Sequence, residues 1–323
     1  MSHRTALVTG TAFALAAGLM WGLVFVAPLL LPAYPAALLS FGRYVAFGLI
    51  ALPLAWIDRA RLRSLTRADW REAARLALVG NLLYYLFLAA AIQRAGGPLP
   101  TMIIGTLPVV IAVTSNLRDA KRDGRLSWRR LAPSLALIAA GIALVNRAEM
   151  MQFDAGADLG RYVSGALLAV GAVACWTWYP IRNADWLRAH ADRSPSTWAT
   201  AQGIATLPLA AAGFALFWAL GADGIAMPLG PMAGRFVGLM LAIGLFASWL
   251  GTLCWNEASQ RLPTTLAGQL IVFETLSALA YAFVLRGRWP APAALAGVGL
   301  LVAGVAWALR ARPEPLAAER HTA

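Results

Sequence analysis

The sequence predicts an all-α integral membrane protein, with ten transmembrane helices arranged as two inverted five-helix repeats around a central cavity. Three observations support this fold class: the composition, the length of the apolar windows, and an internal repeat. Hydrophobic residues make up 60% of the 323 residues, charged residues make up 13%, and the mean hydropathy is +0.65. Soluble proteins carry about 25% charged residues, so this composition excludes disorder and disfavours a soluble enzyme.

Ten apolar windows are separated by charged or Pro/Gly-rich breaks. A membrane-spanning helix needs about 20 apolar residues, and each window approaches or exceeds that length. Only helices or closed barrels satisfy every backbone polar group in lipid, and the sequence lacks the alternating short strands of a barrel. The first window is too long for a signal-peptide core, so we expect it to be retained. The windows are 9–31, 38–57, 74–93, 99–117, 131–146, 162–181, 196–220, 235–256, 264–285 and 291–309.

The distribution of basic residues predicts that both termini are cytoplasmic. With the N-terminus inside, cytoplasmic segments hold 20 of the 27 lysines and arginines, six lie on the opposite side, and Arg43 lies within a span. Such a bias is typical of cytoplasmic loops. It explains the net charge of +12 as a sign of topology. A nucleic-acid-binding protein would instead need a folded soluble domain with one basic face.

An internal repeat divides the chain into residues 1–150 and 151–323. Four matches occur in the same order in both halves, at similar separations along the chain. Because each half holds five spans, an odd number, the second half is predicted to enter the membrane inverted. Inverted repeats are typical of secondary transporters; the alternative is a duplicated scaffold without a transport role. The matches are Trp21 with Trp176, Leu52–Ala55 with Leu207–Ala210, Ala91–Arg94 with Ala258–Arg261, and Leu137–Ala143 with Leu300–Ala306.

These repeats, the Trp21-Gly22 pair, Arg43 in the second span, the Ala-x-Gln-Arg span ends and Leu126-Ser-Trp128 resemble the drug/metabolite transporter superfamily, in its ten-helix EamA-like branch. The tryptophans and tyrosines of the inner spans are most similar to those of the YddG-type aromatic amino acid exporters. The resemblance implies ten helices, cytoplasmic termini, amino acid export, and a cavity lined by spans 1–4 and 6–9.

The ninth span departs from the superfamily pattern, which commonly shows Glu-Pro where this chain has Glu274-Thr275. The acidic residues that often close the fourth and ninth spans are also missing. These departures leave the architecture intact and place in doubt a coupling mechanism that runs through those acids.

Neither a nucleotide nor a metal cofactor is indicated. Lys121, the only lysine, has no glycine-rich loop beside it, so the chain lacks the phosphate-binding motif of an ATP-driven pump. The three histidines lie outside the apolar windows. Both cysteines, Cys175 and Cys254, lie inside them, which argues against a disulfide framework.

Two formal charges, Arg43 and Glu274, lie deep in apolar windows. A charge near the bilayer centre costs about 2.5–3.5 kcal/mol on insertion scales, and such residues usually face a cavity or each other. At about 1.5 Å per residue, their depths differ by about 6 Å. We expect them to pair or to share a cavity, where one meets a charged end of a zwitterionic substrate. The alternative is a structural ion pair. Glu274 is also the candidate proton carrier.

Aromatic and uncharged polar residues supply the remaining candidates for substrate binding. Aromatic rings stack on planar or apolar substrates and hold ammonium groups, although tryptophan and tyrosine also gather at membrane interfaces. Polar side chains inside a span either bind substrate or bond to neighbouring helices. The candidates are Trp21, Asn81, Tyr84, Trp176, Gln202, Trp249 and Gln269.

Three prolines are the candidate hinges. Pro53 and Pro208 occupy matching repeat positions, and Pro108 lies within the fourth window. Proline removes a backbone donor and kinks a helix. Matching kinks suit movement of the two halves; the alternative is a static bend.

The sequence thus favours a bacterial inner-membrane secondary transporter that exports aromatic or other apolar amino acids by alternating access. The alternatives are drug efflux or transport of another small metabolite, a membrane-embedded transferase, and a non-transporting scaffold. The expected partners are an amino acid substrate and membrane lipid, and the chain is expected to be a monomer or a weak homodimer.

Overall fold

A computed structural model describes residues 3–95, 100, 103–118, 127–150, 159–220, 228–287 and 289–310. Within these ranges the chain forms helices and turns, and no strand. The prediction of an all-α protein is therefore confirmed for the described residues. Ten helical segments of the described residues, labelled α1 to α10, each overlap one of the ten predicted windows. They are α1 Thr5–Leu30, α2 Ala36–Ile57, α3 Arg67–Ala95, α4 Leu107–Arg118, α5 Trp128–Met150, α6 Leu159–Ala189, α7 Pro195–Ala219, α8 Ala233–Arg261, α9 Thr264–Leu285 and α10 Pro292–Arg310.

Seven of these segments, α1–α3 and α6–α9, are long and apolar enough to cross a membrane. The apolar parts of α4, α5 and α10 are shorter, at Leu107–Arg118, Leu131–Leu144 and Pro292–Gly304. The described residues therefore establish a multi-pass membrane architecture. The total of ten crossings remains a prediction.

The helix α1 bends where Pro28 interrupts its hydrogen-bond ladder. Proline lacks the N–H that would bond to the carbonyl four residues earlier, here that of Val24. A 3-10 turn at Leu23–Phe25 separates the long helix His3–Gly22 from the short helix Val26–Leu30. The Tyr85 hydroxyl donates to the freed Val24 carbonyl at 3.3 Å. The bend therefore ties α1 to α3.

Two π-helical segments widen α3 and α8 at matching positions. They cover Ala77–Leu83 and Gly244–Leu250. The segments have the same separation along the chain as Arg94 and Arg261, which end the same two helices. Short π segments inside α-helices frequently mark functional sites, and these two lie on opposite sides of the bundle centre.

The fourth and ninth windows are interrupted helices. In the fourth, a turn at Gly105–Thr106 precedes α4, which begins at Leu107. In the ninth, a break at Ile271 separates Thr264–Leu270 from Val272–Arg286. The candidate hinge Pro108 therefore lies just after the turn, and its role in movement stays a prediction. Pro108 is the second residue of its helix, where a missing N–H costs no intrahelical bond.

Helices α2 and α7 pack through small residues on both sides. A Cβ atom on Gly48 would lie 2.4 Å from Cβ of Leu207, and one on Gly203 would lie 2.6 Å from Cβ of Ala51. Gly48 and Gly203 occupy matching repeat positions, so the contact is reciprocal. Because residue numbers rise along α2 as they fall along α7, the two helices run antiparallel.

Helices α5 and α10 show the same reciprocity. A Cβ atom on Gly141 would lie 2.9 Å from Leu301, and one on Gly304 would lie 2.7 Å from Ile138. The matched positions Gly141 and Gly304 therefore each approach the other's helix, and these helices also run antiparallel.

Polar contacts place the arginine-rich segments at one end of the bundle. Arg118, at the end of α4, pairs with Asp185 on α6 at 2.6 Å. Arg182 on α6 pairs with Glu72, near the start of α3, at 2.5 Å. At the opposite end, the Tyr34 hydroxyl donates to the Leu229 carbonyl at 2.9 Å and accepts from the Met232 N–H at 2.8 Å.

Candidate functional site

A small cavity lies at the centre of the bundle, between the π segments of α3 and α8. The space in it open to a water-sized sphere is about 10 Å³, close to the minimum for one water molecule. Side chains from α1, α2, α3, α6, α8 and α9 reach it. The lining residues are Trp21, Val24, Arg43, Tyr44, Asn81, Tyr84, Trp176, Ala247, Ser248, Thr252 and Glu274.

The cation of the cavity is Arg43, which is 4% exposed. Its Nε donates to the Ser248 hydroxyl at 3.0 Å and its Nη2 to the Ala247 carbonyl at 3.3 Å. The guanidinium also lies 4.8 Å from the ring centroids of both Tyr44 and Tyr85. Nη1 has no hydrogen-bond partner among the described residues. The π segment of α8 and two aromatic faces therefore fix the guanidinium and leave one nitrogen free.

The anion of the cavity is Glu274, in the first turn of the helix that follows the break at Ile271. Its Oε2 has no hydrogen-bond partner within the described part of the chain. The positive end of a helix dipole stabilises a carboxylate at this position. The described residues show no ion pair between Glu274 and Arg43. The sequence predicts that the two charges either pair or share a cavity. In the structure they line the same cavity.

Stacked aromatic rings form one wall. Trp176 lies parallel to Tyr84 and Tyr179, with centroids 4.6 and 4.9 Å away. Trp21 meets Trp176 edge-on at 5.1 Å and lies tilted against Trp255 at 5.2 Å. The matched tryptophans of the two halves, Trp21 and Trp176, therefore touch at the cavity. The Tyr84 hydroxyl and the Trp176 indole N–H have no partners among the described residues.

The π segments supply the polar wall. The Asn81 side-chain amide donates to the Thr206 hydroxyl at 3.2 Å, and the Ser248 hydroxyl accepts from Arg43. Asn81 and Ser248 occupy equivalent positions, because each precedes the arginine that ends its helix by the same distance along the chain. Thr252 lies one turn beyond Ser248 on the same side of α8. The widened turns therefore bring two equivalent polar groups to the same space.

Six of the predicted substrate-binding residues meet at this cavity, and three lie elsewhere. Gln202 accepts from the Tyr179 hydroxyl at 2.9 Å and donates to Asn183. The Trp249 indole donates to Thr200 at 3.2 Å. Gln269 accepts from Ser134 of α5 at 2.9 Å. These three side chains bond to neighbouring helices, which is the alternative to substrate binding given above. The six that meet are Trp21, Arg43, Asn81, Tyr84, Trp176 and Glu274.

Five further residues line the cavity and are not among the predicted substrate-binding residues: Val24, Tyr44, Ala247, Ser248 and Thr252. The alignment of Ala91–Arg94 with Ala258–Arg261, continued back along both helices, would have found Ser248 as the counterpart of Asn81. Val24 and Ala247 are ordinary apolar residues with no such signal. The hinge candidates Pro53 and Pro208 lie inside α2 and α7 and do not line the cavity.

Two open clefts lie at the arginine-rich end of the bundle. One, of about 590 Å³, is polar and lies between α3 and α6; its lining includes Asp69, Glu72 and His190. The other, of about 770 Å³, is a largely apolar groove between α4 and α6. The two meet at Arg75, Arg118 and Arg182, which line both. The central cavity shares no lining residue with either cleft.

Comparison with known proteins identifies the family. Residues 8–147 match the EamA-like transporter family. Inner membrane protein YtfF of Escherichia coli (strain K12) is 52% identical over 311 residues, covering 95% of this chain and 97% of the relative. The chain belongs to the EamA-like transporter family. This EamA-like chain is a multi-pass inner-membrane transporter.

Two further comparisons add a second relative and a shared fold. Uncharacterized transporter YwfM of Bacillus subtilis (strain 168) is 27% identical over 297 residues, covering 91% of each chain. A solved crystal structure, 19% identical, covers 93% of this chain and 96% of its own with a TM-score of 0.70, and so shares the fold. The predicted EamA-like membership is confirmed. The resemblance to aromatic amino acid exporters stays a prediction.

Proposed function

We propose that this EamA-like transporter moves zwitterionic amino acids with apolar or aromatic side chains through the central cavity, and that it exports them. One observation supports a zwitterionic substrate. Nη1 of Arg43 and Oε2 of Glu274 are buried atoms of opposite charge that line one cavity without partners among the described residues. A buried polar group is normally hydrogen-bonded. A substrate α-carboxylate bonded to Arg43 and a substrate α-ammonium bonded to Glu274 give both buried atoms a hydrogen-bond partner.

The aromatic wall of the cavity supports a substrate with an apolar or aromatic side chain. Trp21, Tyr84 and Trp176 present stacked rings beside the two charges. Such surfaces pack against apolar or planar side chains. A substrate with one charge leaves the other buried group unsatisfied, which costs about 1–3 kcal/mol or more. The cavity therefore favours zwitterions over simple amines and simple acids.

The packing of the two halves supports an inverted repeat with ten spans. A two-fold axis requires reciprocal contacts, and the pairs Gly48–Gly203 and Gly141–Gly304 make them across α2–α7 and α5–α10. Because equivalent helices run antiparallel, the second half is upside down relative to the first. The cavity then lies at the interface of the halves, where such transporters bind substrate. The arginine bias supports cytoplasmic termini.

The size of the cavity supports alternating access. Ligand pockets usually hold about 300–1,000 Å³, and this one offers about 10 Å³. The Tyr34 contacts lie at one end of the bundle, and the polar cleft lies at the other end without sharing a lining residue with the cavity. The structure therefore corresponds to a state whose centre is closed around side chains. Substrate binding requires the halves to move apart at the aromatic wall.

Counterflow in proteoliposomes tests the proposed function. We expect vesicles loaded with unlabelled phenylalanine to accumulate radiolabelled phenylalanine transiently. Unlabelled leucine competes, because it carries the same two charges. Phenethylamine, which lacks the carboxylate, and 3-phenylpropionate, which lacks the amine, compete at least tenfold more weakly, since each leaves one charge unpaired.

Two results would contradict the proposal. Absence of exchange across a panel of amino acids removes amino acids as the substrate class. Equal competition by phenethylamine and phenylalanine instead favours efflux of organic cations. Liposomes without protein, and proteoliposomes without internal phenylalanine, serve as controls for leak.

A further inference from the structure

We propose that the apolar groove between α4 and α6 binds one anionic phospholipid, with its phosphate on the three arginines at the groove's end and an acyl chain along α6. The groove measures about 770 Å³ and opens to the outside of the bundle. Its walls are Val110 and Thr114 of α4 and Val170, Val173, Ala174 and Trp178 of α6.

The groove has the length of one lipid leaflet. Twelve residues separate Val170 from Arg182 on α6, which is about 18 Å at 1.5 Å per residue. Half of a hydrocarbon core of about 30 Å is about 15 Å. The groove therefore runs from the membrane surface, marked by the arginines, to about the bilayer midplane. Val170 and Trp178 are 55% and 37% exposed, so their apolar surfaces are available to an acyl chain.

The arginine cluster carries an excess positive charge that faces outward. Arg75 and Arg182 share Glu72, and Arg118 pairs with Asp185, so three cations meet two anions in the described part of this cluster. The side chains of Arg75, Arg118 and Arg182 are 65%, 44% and 44% exposed, whereas the two carboxylates are 8% and 9% exposed. The carboxylates lie beneath, and the guanidinium groups face the place where a headgroup phosphate would lie. Basic pockets between transmembrane helices bind anionic lipid headgroups.

A polar group inside the groove fits the glycerol backbone of a lipid. The Thr177 hydroxyl is buried and has no hydrogen-bond partner in the described part of the chain. It lies five residues before Arg182 on α6, about 7.5 Å deeper along the helix. Rotation of this side chain into the groove would let the hydroxyl donate to a glycerol ester carbonyl below the phosphate, whereas a free phosphate at the rim lies too far away to accept from it.

Quenching of Trp178 by brominated lipids tests the proposal. Trp178 lines the groove, and its contribution is isolated by subtracting the emission of the Trp178→Phe variant. In vesicles of equal brominated lipid content, we expect phosphatidylglycerol to quench Trp178 at about one-fifth of the mole fraction that phosphatidylcholine requires. Arg75→Gln weakens this preference because it removes one phosphate partner and leaves Glu72 paired with Arg182. Arg67→Gln, an exposed arginine on α3 that does not line the groove, keeps it.

Ala174→Phe supplies a second test without changing charge. Ala174 is exposed on the groove wall, so a larger side chain fills the groove without entering the core. We expect this variant to lose quenching by both lipids. Three results would overturn the proposal: equal quenching by the two lipids, an Arg75→Gln variant that keeps the full preference, or displacement of the lipid by soluble glycerol phosphate.

Discussion

Replacing Arg43 by glutamine is expected to lower the apparent affinity for phenylalanine by about 10- to 100-fold in counterflow. A hydrogen bond to a charged group contributes about 1.5–3 kcal/mol, and the variant loses the bond from Nη1 to the substrate carboxylate. Loss of affinity for phenethylamine is much smaller, because that amine has no carboxylate. The measurement is the concentration dependence of counterflow for both compounds, and its readout is the ratio of the two affinities.

Two variants separate binding from folding. Arg43→Lys keeps the charge and loses the Nε donor to Ser248, so an intermediate loss is expected. Arg94→Gln removes an exposed arginine at the end of α3 and should leave transport unchanged. If Arg43→Gln weakens phenylalanine and phenethylamine equally, Arg43 does not bind the carboxylate. Melting temperatures in detergent report any loss of stability separately.

Replacing Glu274 by glutamine is expected to produce the opposite change in selectivity. The variant retains the shape of the side chain and loses the negative charge that binds the substrate ammonium. Phenylalanine affinity falls by about 10- to 100-fold, and the discrimination against 3-phenylpropionate falls with it. The same variant tests whether Glu274 carries the proton that is coupled to transport. If Glu274 carries the proton, transport by the variant loses its dependence on pH.

Glu257→Gln is the matched control for this prediction. Glu257 lies on α8, pairs with Arg261 in the same helix, and does not line the cavity. We expect its substitution to leave both selectivity and pH dependence intact. A Glu274→Gln variant that still discriminates against 3-phenylpropionate as strongly as the wild type would remove Glu274 from substrate recognition. Unchanged pH dependence would remove it as the proton carrier.

The positions of the helices were predictable from the sequence because uninterrupted apolarity has one structural solution in lipid. Arg43 and Glu274 were predictable for a related reason. A charge within an apolar window is costly, so each stood out against its neighbours. Trp21 and Trp176 were found through the repeat, since both lie well inside their windows at matching positions.

The direction in which a polar residue points was not predictable. Gln202, Trp249 and Gln269 also lie within their spans, yet they bond to neighbouring helices. Lipid is as apolar as the helix interfaces, so hydrophobic periodicity does not distinguish the inner face of a span from its outer face. Depth along each helix could therefore be predicted, whereas rotation about the helix axis could not.

The π segments and the break in α9 depend on packing that is not encoded locally. Neither π segment contains a proline, and Ile271 at the break of α9 is an ordinary β-branched residue. These features bring Asn81, Ser248 and Glu274 to the cavity. A pattern search based on regular 3.6-residue periodicity passes over them, because an extra residue in a turn shifts every side chain that follows.

The most direct measurement is protection of a cavity cysteine by substrate. In a background of Cys175→Ala and Cys254→Ala, a Thr252→Cys variant places one thiol in the cavity lining. We predict that phenylalanine slows its reaction with a membrane-permeant maleimide several-fold, while phenethylamine and 3-phenylpropionate do not. Ser64→Cys, at an exposed position away from the cavity, reacts at the same rate in all cases. If phenylalanine is transported and leaves the Thr252→Cys rate unchanged, the central cavity is not the substrate site.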